Sequence, residues 1–249
     1  MRILSNAIEE LQQSLFSFKN RELVRKQILE IAKYTNQPYE QAESLFYSNT
    51  PDKAWREANP KTEKEILQFY ATTQSFIYWN MMVNVLYHER YNSRFILLDF
   101  CRRRQIRNIL DYGGGVGEYC IFLAQHGFKV SYCDVYGETW KFAQWRFKER
   151  NLRVNMLKPE DKPKEKSDVI ICAYVLPHVK DPPSLLRRFY DELIPGGILA
   201  AKWNFRERDP QHLKENEKYA STIFVILEEI GFRKISENYF QFLEKSHKK

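Results

Sequence analysis

The sequence predicts an α/β protein, a mostly parallel sheet with helices on both faces, preceded by an all-helical region. Three observations carry this. From about residue 93, short apolar runs alternate with helical stretches, as parallel strands joined by crossover helices require. The first such run ends in four glycines within five positions, Gly113, Gly114, Gly115 and Gly117. Residues 1–92 contain no glycine, keep helical spacing and never alternate with period two. At 249 residues, 43% hydrophobic and 29% charged, the chain has room for one α/β domain of about 150 residues and a substantial appendage, and its composition excludes extended disorder.

Leu4, Ile8, Leu11, Leu15 and Phe18 recur every three or four residues and predict one face of an amphipathic helix; Val24, Ile28 and Ile31 repeat the pattern. Thr50-Pro51 reads as an N-cap with proline in the first helical position, and Thr62 with Glu65 as a capping box. Between Phe69 and Tyr91 the chain is dense in aromatics, with Tyr70, Phe76, Tyr78, Trp79 and Tyr87. They read as a buried helix at an interdomain seam, or as the lining of an acceptor pocket, and different faces could serve both ends.

Strands are predicted at 108–112, 128–133, 154–157, 168–172 and 197–201, with helices at 118–126, 138–150 and 183–192. The tail from Lys245 to Lys249 reads as frayed. Domain boundaries are expected at 1–92 and 93–249.

The chemistry concentrates in Asp111-Tyr112-Gly113-Gly114-Gly115-Val116-Gly117. A turn that bends sharply and lets a ligand lie on its backbone leaves no room for Cβ atoms, and the carboxyl end of a first parallel strand is where open α/β sheets bind nucleotides. The dinucleotide fingerprint needs a third glycine where Glu118 stands. Carboxylates on both sides of the turn disfavour a pyrophosphate and suit a cationic ligand.

This segment resembles the first motif of the class I S-adenosylmethionine-dependent methyltransferases, D/E-x-G-x-G-x-G, at every defined position. The likeness extends to Asp134 at the end of the second strand, to 167–179, to Leu193-Ile194-Pro195-Gly196-Gly197 and to a terminal stretch from Gly231 to Glu244, together covering 93–245. It implies a Rossmann-like seven-stranded sheet, mostly parallel with a C-terminal antiparallel hairpin, under an N-terminal helical cap. It also implies S-adenosyl-L-methionine as cofactor, held by Asp111, Gly113, Gly114, Gly115, Gly117 and Ala173, with Asp134 on the ribose hydroxyls. The family's adenine-contacting acid has only a loose counterpart in Asp161.

The implied reaction is methyl transfer by in-line attack to a small organic acceptor, on oxygen, nitrogen or carbon. His178, in the loop after the fourth strand, is the candidate general base, beside the plainer reading of a loop or capping histidine; Tyr70, Tyr78 and His88 are weaker candidates. Ala173 and Tyr174 stand where a metal-binding carboxylate would be sought, so no catalytic metal is expected. Asp181-Pro182-Pro183 matches an amino-methyltransferase motif in letters only and reads as a helix cap.

The net charge of +7 is shared, with 15 basic and 12 acidic residues in 1–105 and 24 and 20 in the remainder. Neither part is a basic domain, which argues against a nucleic-acid partner. The run Arg102-Arg103-Arg104 reads as a solvated helix end. Cys101, Cys120, Cys133 and Cys172 have no C-x-x-C pairing and read as reduced core thiols. Without a signal-peptide core or a long apolar run, a cytoplasmic protein with no membrane association is expected, as a monomer or homodimer. The rival readings are an RNA or protein methyltransferase with an open basic face, and a non-catalytic S-adenosylmethionine-binding module.

Overall fold

A computed structural model describes residues 21–205 and 210–246. The helical expectation for Leu4 to Phe18 lies outside them. The described residues open with helix α1 over 21–35, followed by α2 (Tyr39–Ser48), α3 (Pro51–Ala58), α4 (Glu63–Thr72), α5 (Ser75–Leu86) and α6 (His88–Arg103). Then come β1 (Asn108–Tyr112), α7 (Glu118–Gln125), β2 (Lys129–Cys133), α8 (Glu138–Glu149), β3 (Val154–Leu157), β4 (Ser167–Ala173), α9 (Pro182–Glu192), β5 (Leu193–Lys202), α10 (Tyr219–Ile230), β6 (Phe232–Glu237) and β7 (Gln241–Lys245).

Local chemistry accounts for the helix ends. Thr62 accepts from the Glu65 N–H at 3.2 Å while the Glu65 carboxylate receives the Thr62 N–H at 2.8 Å, so the capping box closes on both sides. Asp181 accepts from the Ser184 N–H at 3.0 Å and Pro182 opens α9, as a cap requires. Thr50 caps α3 through its backbone alone. The aromatic stretch is not one helix: α4 stops at Thr72, Thr73 is extended, and Tyr87 is extended again between α5 and α6. The 92/93 position falls inside α6.

The seven strands lie in the order β3-β2-β1-β4-β5-β7-β6, with β1 to β5 parallel and the β6–β7 hairpin antiparallel. From β1 the chain winds outward through β2 to β3, then returns to place β4 on β1's other side. That reversal opens a crevice at the carboxyl ends of β1 and β4. Period-two alternation divides the strand residues between two cores. Leu110, Ile170, Cys172 and Leu199 meet α9 and α10, while Ile109, Val169, Ile171 and Ala200 meet α6, α7 and α8.

A third core belongs to the helical region: Val24, Ile28, Ile31, Phe46, Ile77, Tyr78 and Met81, joined by Val116 of the glycine turn and Phe142 of α8. The helices are thus packed onto the turn itself. All four cysteines are buried and unpaired. Lys245 is not frayed; it ends β7 and donates to the carbonyls of Tyr190 and Leu193 at 2.6 and 3.0 Å. Arg103 pairs with Asp99 and Arg104 with Glu244 at the end of α6. No helix among the described residues is long and apolar enough to cross a membrane.

Candidate functional site

A cavity of about 960 Å³ opens over the crevice at β1 and β4. Its floor is formed by Asp111, Gly113, Gly114, Gly115, Asp134, Ala173 and His178, and its roof by residues of α3, α4 and α5, including Tyr70, Phe76 and Trp79. Gly117 does not line it; it stands left-handed, φ 77°, at the mouth of α7. Asp161 is not brought to it either, since its carboxylate caps a local turn by accepting the Lys158 N–H at 2.8 Å. The aromatic segment serves two faces. Phe69, Tyr78 and Met81 are buried, whereas Tyr70, Phe76, Trp79 and the exposed Tyr87 face the cavity. His88 is exposed on α6, beside Asn92.

The glycines follow from their neighbours. A Cβ on Gly113, φ 73°, would lie 2.1 Å from Val175 Cγ2, and one on Gly114 would lie 2.7 Å from the Tyr132 ring. The turn's N–H groups are engaged within the fold. Gly113 and Gly114 donate to the Cys133 carbonyl at 2.8 and 3.2 Å, Gly117 to the Gly114 carbonyl at 2.9 Å, and Gly115 to Asp134 Oδ2 at 2.7 Å. A phosphate cradle needs such donors aimed at the ligand. Here the turn instead turns carboxylates and close-approach backbone toward the cavity.

Asp111 is 2% exposed, and burial pushes its carboxyl up to about 7, against a weak pull down from the Cys120 thiol at 3.4 Å. Burial raises Asp134 to about 6 despite two backbone donors, Gly115 and Val135, each at 2.7 Å. With Glu118 also on the lining, the end of the cavity at the turn has an acidic floor.

Arg90 brings the counter-charge from α6, its guanidinium 5.4 Å from the Tyr174 ring centre. Tyr174 follows β4 with a left-handed φ of 60°, a strained conformation for a large side chain, and its hydroxyl accepts from Tyr239 at 3.3 Å. Burial raises the Tyr239 phenol well above its ordinary value, so this tyrosine stays neutral. Sequence reasoning missed Arg90 as a site residue. An arginine one turn into a helix carries no local signal that it ends beside the first strand.

The cavity wall also carries a buried polar atom left unsatisfied within the fold. Thr139 Oγ1, in the first turn of α8, is buried on the cavity wall with no hydrogen-bond partner. A Cβ on Gly115 would likewise lie 3.1 Å from the Asn80 side-chain amide, so the turn is packed closely against its own neighbours. Among the described residues, no group of three or more histidine, cysteine or acidic side chains is placed to hold a metal ion.

Gly137 was not singled out from the sequence, yet it is where the cap closes on the sheet. Its extended backbone suits any residue, but a Cβ there would meet the Ala71 carbonyl oxygen at 2.1 Å and Ala71 Cα at 2.4 Å. Helix backbone cannot move aside as a side chain tip can. Gly137→Ala is therefore expected to destabilise the protein by about 1–3 kcal/mol in urea unfolding. Parent-like stability would mean that α4 does not rest on this loop.

A family model described as Methyltransferase domain matches residues 85–236. N-methyltransferase NodS from Bradyrhizobium japonicum WM9 is similar in structure at a TM-score of 0.50 and 17% identity, over 64% of this chain and 97% of that one. The same protein in complex with S-adenosyl-L-homocysteine gives 0.48 and 16%, over 64% and 89%. An S-adenosylmethionine-dependent methyltransferase from Clostridium acetobutylicum ATCC 824 gives 0.44 and 15%, over 49% and 55%. At these identities the likeness concerns the fold. No curated protein matches the chain.

Proposed function

We propose, from the premise that the chain belongs to the methyltransferase-domain family and uses S-adenosylmethionine, that it methylates a small organic acceptor enclosed beneath its helical cap. The observation that carries this reading is the single cavity whose floor is the acidic glycine turn and whose roof is Tyr70, Phe76 and Trp79. When bound, S-adenosylmethionine supplies a methyl group already activated by its sulfonium, so the protein's work is alignment and exclusion of water.

In this reading Asp111 faces the cofactor's amine, Arg90 its carboxylate, and Asp134 its ribose hydroxyls, which the remaining lone pairs of two carboxylate oxygens can accept. Gly113, Gly114 and Gly115 permit the close approach, with Gly117 shaping the turn and Ala173 bounding the methyl end. His178 takes the acceptor's proton where one must leave. Transfer is metal-independent, and the cap (1–92) and cofactor domain (93–249) meet at the reacting atoms. The mouth supports a small acceptor over a nucleic acid: Lys61 and Lys180 stand among Asp52, Glu63 and Glu215, and Lys180 pairs with Glu63 across it at 2.8 Å.

The test is transfer of labelled methyl to a panel of phenols, hydroxy acids and amines, with tRNA and a protein extract run in parallel. Label is expected in the small-molecule fraction and to be insensitive to chelators. Label confined to tRNA or protein would overturn the reading.

The raised carboxyls add a pH dependence. Burial raises the Asp111 carboxyl to about 7, and a cationic ligand favours its charged form. Cofactor affinity should therefore rise with pH through about 5 to 7, by up to about tenfold per unit, with release of about one proton on binding. Calorimetry in two buffers of different ionisation enthalpy reads that proton, and its persistence in Asp111→Asn would exclude Asp111 as the source. The sign reverses for the ligand-free fold. A carboxyl raised by burial binds more protons folded than unfolded, so its contribution is largest in acid and declines as pH rises toward 7.

A further inference from the structure

The acidic floor of the cavity serves the cofactor, yet a further carboxylate stands by the aromatic roof. Asp52 lies in the first turn of α3 and lines the cavity, half-buried. Its carboxylate turns away from its own helix: Oδ1 accepts from the side-chain amide of Gln211 at 2.9 Å. That amide is neutral, so among the described residues no cation pairs with Asp52. Gln211 is itself 3% exposed, and its backbone carbonyl lies 3.2 Å from His178 Nδ1, with the Tyr70 hydroxyl 3.1 Å from the same atom. These contacts fix Asp52 on the wall that also holds His178 and Tyr70.

Rings surround that carboxylate. Trp55, one turn on from Asp52 and on the same side of α3, packs on Phe69 at 5.0 Å and on Tyr70 at 6.2 Å, and Phe76 stacks on Tyr70 at 5.2 Å and 21°. Tyr70 and Phe76 line the cavity with Asp52. Although the whole chain carries a net charge of +7, the charges at this mouth lean the other way. Asp52, Glu63 and Glu215 stand against Lys61 and Lys180, and Glu63 already takes Lys180 at 2.8 Å. A carboxylate without a cation and a set of ring faces together match the needs of an ammonium group leaving water. The first makes a charge-assisted hydrogen bond and the second presents negative π density. A neutral group would leave the carboxylate desolvated and uncompensated, and an anion would be repelled.

We propose that Asp52, with the Tyr70 and Phe76 rings, forms an ammonium-binding subsite, so that the acceptor is an amine carried on an aromatic or alkyl body. This rests on the function proposed above, in which a small acceptor occupies the cavity, and it narrows that acceptor from phenols, hydroxy acids and amines to amines. Asp52 is a specificity-determining residue that acts at the binding step and takes no part in methyl transfer. The apolar body of the acceptor lies against the rings, and its charged nitrogen meets the carboxylate.

The test compares three probes of similar shape and different charge: phenethylamine, phenethyl alcohol and phenylacetate. Each is titrated by calorimetry into the full chain near neutral pH, with S-adenosyl-L-homocysteine saturating so that no transfer occurs. The amine is expected to bind at least about tenfold more tightly than the alcohol, and phenylacetate more weakly than either. Asp52→Asn keeps an oxygen for the Gln211 amide and removes the charge. It should bring the amine to within about twofold of the alcohol, while the affinities for the alcohol and for S-adenosyl-L-homocysteine stay within about twofold of the parent's. Equal binding of amine and alcohol by the parent protein, no binding of the amine, or a preference for phenylacetate overturns the proposal whether or not the variant folds. An amine preference that survives in folded Asp52→Asn overturns it too. Labelled methyl appearing in a phenol or hydroxy acid would sink this subsite and leave the proposed function standing, whereas label confined to tRNA or protein would sink that function itself.

Discussion

Asp134→Ala is expected to abolish calorimetrically detectable binding of S-adenosylmethionine. Asp134 does two things at once in the fold. It lines the cavity, and its carboxylate ties down the glycine turn by accepting the Gly115 N–H at 2.7 Å and the Val135 N–H at 2.7 Å. Alanine removes the two acceptors offered to a vicinal diol and also frees Gly115 from its anchor. Loss of hydrogen bonds to a charged group costs about 1.5–3 kcal/mol each, so affinity should fall at least about a hundredfold. Asp134→Asn separates the two effects. An amide keeps the volume but has one oxygen where two N–H groups now converge, so it should weaken binding and lower the melting temperature together. Unchanged affinity in Asp134→Ala would sink the assignment of this end of the cavity.

Arg146→Ala is expected to be the most destabilising substitution in the protein outside the hydrophobic cores. Arg146 is 1% exposed on α8. Its guanidinium donates to Glu30 of α1 at 3.0 and 3.3 Å, to Glu118 of α7 at 3.1 Å and to the Val116 carbonyl in the glycine turn at 2.7 Å. Arg150 adds a second cation on Glu30 at 2.5 Å, and Arg94 a second on Glu118 at 2.5 Å. Burial alone would raise the Glu30 carboxyl, but Arg146 and Arg150 overcome it and hold it below its ordinary range.

Removing the central arginine leaves two carboxylates and a carbonyl facing one another in a dry place. Breaking such a pair costs about 3–5 kcal/mol, read as a lower midpoint in urea with an unchanged slope. Because the same arginine holds Val116, cofactor affinity should fall as well. Glu30→Gln, which keeps the shape, should cost less and lose the acid sensitivity of this network: a depressed carboxyl contributes stability above its unfolded value and loses it as pH falls. A loss under about 1 kcal/mol for Arg146→Ala would show that the network is no stronger than a surface ion pair.

How much of this was legible in the sequence depends on how far apart the interacting residues lie. The strand at 108–112 and the turn after it were legible because both are local: an apolar run sets burial, and a cluster of glycines marks backbone that side chains would block. The caps at Thr62 and Asp181 belong to the same class, whereas the terminal hairpin was expected only from the family resemblance of the stretch from Gly231 to Glu244. The aromatic segment was legible in composition but not in course, since nothing in its letters marks the breaks at Thr73 and Tyr87 that turn one set of rings inward and another toward the cavity. Arg90, Arg146, Glu30 and Asp52 looked like surface charge, because a charged residue on an amphipathic helix reads as solvated until its partner from another element is known.

The sequence by itself determined the family and the parallel sheet with the glycine-rich turn after its first strand, because backbone geometry and strand alternation are properties of neighbours along the chain. Tertiary structure alone decided what closes over that end. It brought Ala71 against Gly137, Glu30 against Arg146, and Asp52, Gln211 and Tyr70 to one imidazole, over separations of tens to more than a hundred residues. The roof of the cavity follows from packing, where buried charges must find partners and buried surfaces must fit, and no local pattern encodes which partner that is.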